Sequence, residues 1–227
     1  TTVVAQAPTR FLVSGMGDAL STYFEARANV RSFSRVNASL PCGAREGVCA
    51  PGMGTNAAFA LATQCYQTLM ADGRKAKQAC DMNIVTPALE NIIEANILLS
   101  GLGFESGGLA AAHGIVDGLT ILPGTHKYMH GEEVAFGTLC HMMLENAPTE
   151  ELEEVLDFCL DVGLPVCLAD IGVESISPEE LRQVAEKASI PEESTHAMPF
   201  PVNAQTVAAA IVAADKLGST YKQERAK

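Results

Sequence analysis

The sequence predicts an all-α fold, and three observations carry the prediction. Apolar residues recur at three- and four-residue intervals through most of the 227 residues. No stretch sustains the alternation of a half-buried strand. Several segments open on side chains that cap helices. The expectation is a bundle of roughly eight to ten helices. It forms one domain over residues 1–227, with a long irregular loop at about residues 31–54.

In order, residues 3–13 read as short and partly extended, broken at Pro8. The string GMGDALSTYFEARAN reads as a helix opened by Gly15 and Gly17, with Leu20, Tyr23, Phe24 and Arg27 on one face. From Arg31 to Gly54 the pattern dissolves into Gly, Pro, Ser and Cys, the composition of a loop. Thr55 caps the next helix, which buries Ala58, Leu61, Ala62, Cys65 and Leu69 and is expected to break at Asp72-Gly73, with a short helix on to Asp81. Thr86-Pro87 is an N-cap and first-turn pair, with Leu89, Ile92, Ile93 and Ile97 in register. Gly101 and Gly103 are expected to interrupt that helix, and an apolar helix follows from about Glu105 to Thr120. Another spans about residues 131–145. Thr149 is expected to cap the acidic segment ELEEVLDFCLDVG, Ser177-Pro178-Glu179-Glu180 matches a capping box, and Asn203 opens a last helix that Gly218 closes.

Composition narrows the function. The chain is 48% apolar with a mean hydropathy of +0.15 and only 19% charged, an apolar excess that suits a subunit interface as well as a core. Its net charge is −12, and the only basic stretch is the tail YKQERAK, which argues against nucleic acid and anionic membrane as partners. Seven cysteines without a C-x-x-C pair point to a reducing, cytoplasmic setting. The opening TTVVAQAPTR lacks the pattern of a signal peptide, and no apolar run approaches the roughly 20 residues of a membrane span. The β-branched start at Thr1 reads as the exit from an earlier element.

Glycine-rich strings give false leads. Gly52-Met53-Gly54-Thr55-Asn56-Ala57 fits G-x-G-x-x-A, but loop residues precede it, and a dinucleotide fingerprint needs a buried strand there. Gly15-Met16-Gly17 and Gly101-Leu102-Gly103 fail for the same reason. Metal ligands are the better lead. His126 and His130 are four apart, as are His113 and Asp117, and Asp18 lies near the start of its helix. Each has a plainer role open to it: Asp18 favouring a helix N-terminus, Asp117 facing solvent, His113 hydrogen-bonded in the core. His141 and His196 carry no signal beyond packing. Two histidines and a carboxylate leave a coordination position open, the arrangement of a catalytic zinc, and the same set suits non-haem iron.

At these residues the sequence becomes familiar. TPALENIIEANILLSGLGFESGGLAAAHGIVDGLT, followed by THKYMHGEEVAFGTL, resembles the glycerol dehydrogenases of the metal-dependent, iron-containing alcohol dehydrogenase family. APTRFLVSGMGDALSTYFEAR and THAMPFPVNAQTVAAAIVAADKLG match the same family in the same order, so that the resemblance runs from about Val3 to Gly218. It implies a homo-oligomer whose subunit binds NAD in an N-terminal α/β domain and a divalent metal, usually zinc, in a C-terminal helical domain. The metal ligands it implies are Asp18, His113 and His130, in preference to Asp117 and His126, with Phe104 near the nicotinamide. The implied reaction is oxidation of glycerol, or a related small vicinal diol, to the hydroxyketone dihydroxyacetone.

Three departures qualify the match. The family's nucleotide domain is not among these residues, so little NAD-dependent turnover is expected of the chain alone. Val116 and Asp117 stand where members commonly carry a second His and an Asn, and the segment 32–52 is unusually rich in Cys and Pro. The competing expectation is a truncated, catalytically inactive metal-binding and oligomerisation domain. A non-haem iron oxygenase fits an all-α chain poorly.

Overall fold

The computed structural model describes residues 1–34 and 52–227. Among the described residues, the regular structure is ten α-helices. They are α1 (Thr2–Ala5), α2 (Thr9–Ser32), α3 (Asn56–Asp81), α4 (Pro87–Glu94), α5 (Ser100–Gly107), α6 (Ala111–Leu119), α7 (His130–Leu144), α8 (Thr149–Val162), α9 (Pro178–Lys187) and α10 (Ala204–Arg225). A π-helical turn, Ala95–Leu99, joins α4 to α5, and three short 3-10 turns occur later. The expected helical bundle is therefore what the chain forms.

The helix starts that depend on one side chain fall where expected. Thr55 Oγ1 accepts from the Ala58 amide at 3.1 Å, and Thr86 Oγ1 accepts from that of Leu89 at 3.2 Å, just before Pro87. Ser177 and Glu180 form a reciprocal box, and Asn203 and Thr206 form another.

The glycines behave differently from expectation. Residues 2–5 are helical rather than extended, and α2 begins directly after Pro8, with Gly15 and Gly17 in its interior. Gly15 leaves room for the Asn96 side chain, whose amide donates to the Leu12 carbonyl at 3.2 Å. At Gly17 the backbones of α2 and α7 meet: a Cβ there would run into the Gly131 carbonyl, and one on Gly131 would run into that of Ser14. Neither Gly73, against the Phe158 ring, nor Gly218, against the Val166 carbonyl, ends its helix, because each gives a neighbour room to approach. Gly101 and Gly103 likewise leave the helix intact. The break comes at Gly108, whose φ of 86° glycine adopts far more readily than other residues. Thr149 is the first residue of α8, and Pro148 occupies the cap position. Of the expected loop at 31–54, residues 31 and 32 belong to α2, which ends on a left-handed Phe33; residues 35–51 lie outside the described residues.

Helix α7 is the centre of the bundle. Every residue from Gly131 to Met142 is buried, and α2, α6 and α10 pack around it. Apart from Glu132, Glu133, Thr138 and His141 its buried residues are apolar or small, the composition of a helix packed inside a core. Phe24 of α2 and Phe136 of α7 are fully buried, each worth roughly 2–3 kcal/mol by the apolar area removed from water. Cys65, Cys80, Cys140, Cys159 and Cys167 are buried free thiols. Among the described residues, no helix is long and apolar enough to cross a membrane.

Candidate metal centre

Three helices converge beside the Gly17–Gly131 contact. Asp18 follows Gly17 in the interior of α2, too far from the helix start to serve its N-terminus. His130 is the first residue of α7 and precedes Gly131. The close backbone crossing thus brings Asp18 and His130 to the same place. His113 comes from the first turn of α6. The Nε2 atom of His113 lies 3.3 Å from Asp18 Oδ1, and that of His130 lies 3.7 Å from it. The two imidazole rings are 5.3 Å apart between centroids. Ligand atoms from all three side chains lie within 4.8 Å of one another.

The donors suit a small divalent ion. Zinc–nitrogen and zinc–oxygen bonds of ~2.0–2.1 Å in a tetrahedron put neighbouring donors about 3.3–3.4 Å apart. The separations from Asp18 Oδ1 approach that edge. One carboxylate and two imidazoles form a common zinc donor set. The site is also graded in exposure: the His113 side chain is 15% exposed, Asp18 46% and His130 58%. One side is seated in protein and the other faces outward.

The seated side rests on a residue that the sequence reading missed. Glu25 is fully buried; its Oε2 lies 2.6 Å from Nδ1 of His113, and its Oε1 accepts from the backbone amides of Ala110 and His113 at 2.8 and 3.0 Å. Burial pushes the Glu25 carboxyl up, but His113 and its amide more than offset this and hold it below its ordinary range. Burial pulls His113 down, whereas the carboxylates of Glu25 and Asp18 raise it to about 10. Without a metal, His113 is therefore a cation clamped between two acids. The available sequence signal was the spacing of Asp18 and Glu25, seven residues or two helical turns apart on one face of α2.

The other candidates fall elsewhere. Asp117 is exposed, and His126 is exposed with Nε2 2.8 Å from the Thr120 carbonyl oxygen. Val116 is buried against Gly137 in the packing of α6 on α7. Phe104 stands on α5, 37% exposed. His196 Nε2 lies 3.0 Å from the Ile190 carbonyl oxygen. His141 is wholly buried edge-on to Phe24; burial lowers its pKa, and neither ring nitrogen has a partner among the described residues.

No family model matches the chain. Named relatives do. It is 49% identical over 226 residues to a glycerol dehydrogenase of Thermotoga maritima, a match that covers 98% of this chain and 58% of the relative. A glycolaldehyde reductase of Halobacterium salinarum is 43% identical, with 96% and 56% covered. Among solved structures, a probable glycerol dehydrogenase from Sinorhizobium meliloti superposes with a TM-score of 0.87 at 47% identity, covering 96% of this chain and 58% of that one. Glycerol dehydrogenase from Schizosaccharomyces pombe gives 0.89 at 37%, covering 99% and 55%. The chain thus spans somewhat more than half the length of the proteins it matches. By sequence and by fold, it belongs to the glycerol dehydrogenase family.

Proposed function

We propose that this chain supplies the metal-binding, substrate-orienting part of an NAD-dependent glycerol dehydrogenase. The observation that carries the reading is the convergence of Asp18, His113 and His130, with their ligand atoms within 4.8 Å of one another. These residues would hold a divalent ion, zinc in the first instance. Such an ion supplies a Lewis acid that makes an alcohol easier to deprotonate. Asp18 contributes the anionic donor, His113 the seated imidazole and His130 the outward one. The exposed side of the site admits a small polar substrate, and a vicinal diol has two hydroxyls with which to fix its orientation. The names of the relatives, a glycerol dehydrogenase and a glycolaldehyde reductase among them, support a substrate of two or three carbons with adjacent oxygens. Phe104, exposed on α5, is proposed to pack near the nicotinamide. Hydride transfer belongs to the cofactor.

The competing reading is a metal-binding and oligomerisation domain without turnover. The experiment is a zinc titration of the metal-freed chain, followed by glycerol and NAD. One zinc per chain, lost in Asp18→Ala and in His130→Ala, is the expected result; no stoichiometric zinc overturns the reading. Robust formation of NADH from glycerol by the pure chain ends the competing reading. The homo-oligomer expected of the family is checked by light scattering on the same sample.

A further inference from the structure

Glu25 does two things with two oxygens. The start of α6 has no side-chain cap from Ala110, its own cap residue. Oε1 of Glu25 takes over that task, accepting the amides of Ala110 and His113. Capping needs no second oxygen, yet Oε2 is 2.6 Å from Nδ1 of His113. The acid has no exposure to water, so both contacts are set by the packing of α2 on α6. The Asn29 amide, one turn further along α2, donates to the Leu109 carbonyl at 2.8 Å and ties the same two segments together.

We infer that Glu25 is a positioning residue for the metal centre, fixing His113 so that Nδ1 carries the hydrogen and Nε2 presents its lone pair toward Asp18 and His130. The inference rests on the metal reading above. A carboxylate can only accept, so the ring nitrogen facing it has to be the donor. The opposite nitrogen, 3.3 Å from Asp18, is then the one left to bind. Partners of this kind orient ligating histidines and strengthen them as donors.

The test separates this role from a merely structural cap. In Glu25→Gln the amide oxygen faces two backbone donors and the amide NH2 faces the ring, because the reverse arrangement would set donors against donors at two bonds rather than one. Nδ1 then has to accept, the hydrogen moves to Nε2, and the ligating lone pair is lost. Zinc affinity of the full chain, measured by competition with a chelator, is expected to fall about 10- to 100-fold. The visible spectrum of the Co2+-loaded protein should change, measured on a variant whose cooperative melting shows that it is folded. Equal zinc affinity and an unchanged cobalt spectrum in the folded variant would make Glu25 a helix cap only, overturning the inference and leaving the metal site standing. If the unaltered chain binds no zinc, or His113→Ala binds it as tightly, the metal reading falls and this inference falls with it. Should E25Q fail to fold, Glu25→Asp keeps the charge but withdraws the oxygens by one methylene. A several-fold loss of affinity supports the inference, and a folded E25D with parental affinity and spectrum overturns it.

Discussion

Helix α2 carries two charged clusters, built on opposite principles. At Asp18 and Glu25, two carboxylates face the imidazoles of His113 and His130. At Arg27, a guanidinium bonds the carboxylates of Glu145 and Glu151, the latter at 2.6 Å, and lies 5.0 Å from the centroid of the Phe24 ring. Both clusters balance buried acid with a cation. The cation at Arg27 is permanent, since guanidinium does not deprotonate in proteins. The one at His113 is a proton on an imidazole, and a metal ion can take its place. The Arg27 cluster is therefore built to stay as it is, and the His113 cluster is one whose cation can be exchanged.

The comparison breaks most visibly at the candidate ligands. Replacing His113 by Ala is expected to weaken zinc binding on the order of a thousand-fold or more, about 4 kcal/mol, by calorimetry. Next in size is Arg27→Leu, which strands Glu145, only 3% exposed, without its main partner. Urea denaturation should show a loss of about 3 kcal/mol, at the low end for a broken buried pair because Arg27 is partly exposed. Zinc affinity should barely change. If metal binding falls with Arg27, the two clusters are not separate devices.

A smaller effect comes from pH. His113 is raised to about 10, so a zinc ion bound there would have to displace its proton throughout the neutral range. Chelator competition is expected to show affinity rising nearly tenfold per pH unit from about pH 6 to 8.5. The metal-free protein responds in the opposite sense. The raised pKa stabilises it fully below the unfolded value of about 6.5, and that contribution is lost as pH rises through about 10. The Arg27 cluster should contribute no such slope. The smallest change is none at all: Asp117→Asn, at an exposed position outside the cluster, should leave zinc affinity within about twofold, inside the ±0.5 kcal/mol usual for such surface changes.

The same division between local and distant causes decided what could be read from the sequence. Thr55, Thr86, Ser177 and Asn203 were legible as helix starts because each bonds a backbone amide within three residues. Gly15 was misread as a helix start, and Gly73, Gly101 and Gly103 as breaks. Glycine's local preference does disfavour helix, but Gly15 and Gly73 answer to side chains 81 and 85 positions away, Asn96 and Phe158. Spacing alone left Asp117 and His126 level with Asp18 and His130; the family resemblance preferred the latter pair, and only that pair joins His113 in space. Glu25 stayed hidden because its partners, Ala110 and His113, are 85 and 88 residues distant.

The crossing at Gly17 and Gly131 has a practical consequence. Exchanging helical glycines for alanine is among the simplest routes to a more heat-resistant protein, since it narrows the unfolded ensemble at little cost. At this pair the rule reverses. A single methyl would wedge α2 from α7 and carry Asp18 away from His130, so the usual stabilising exchange would here pull the candidate metal centre apart. The bite of the site is machined by two absent side chains.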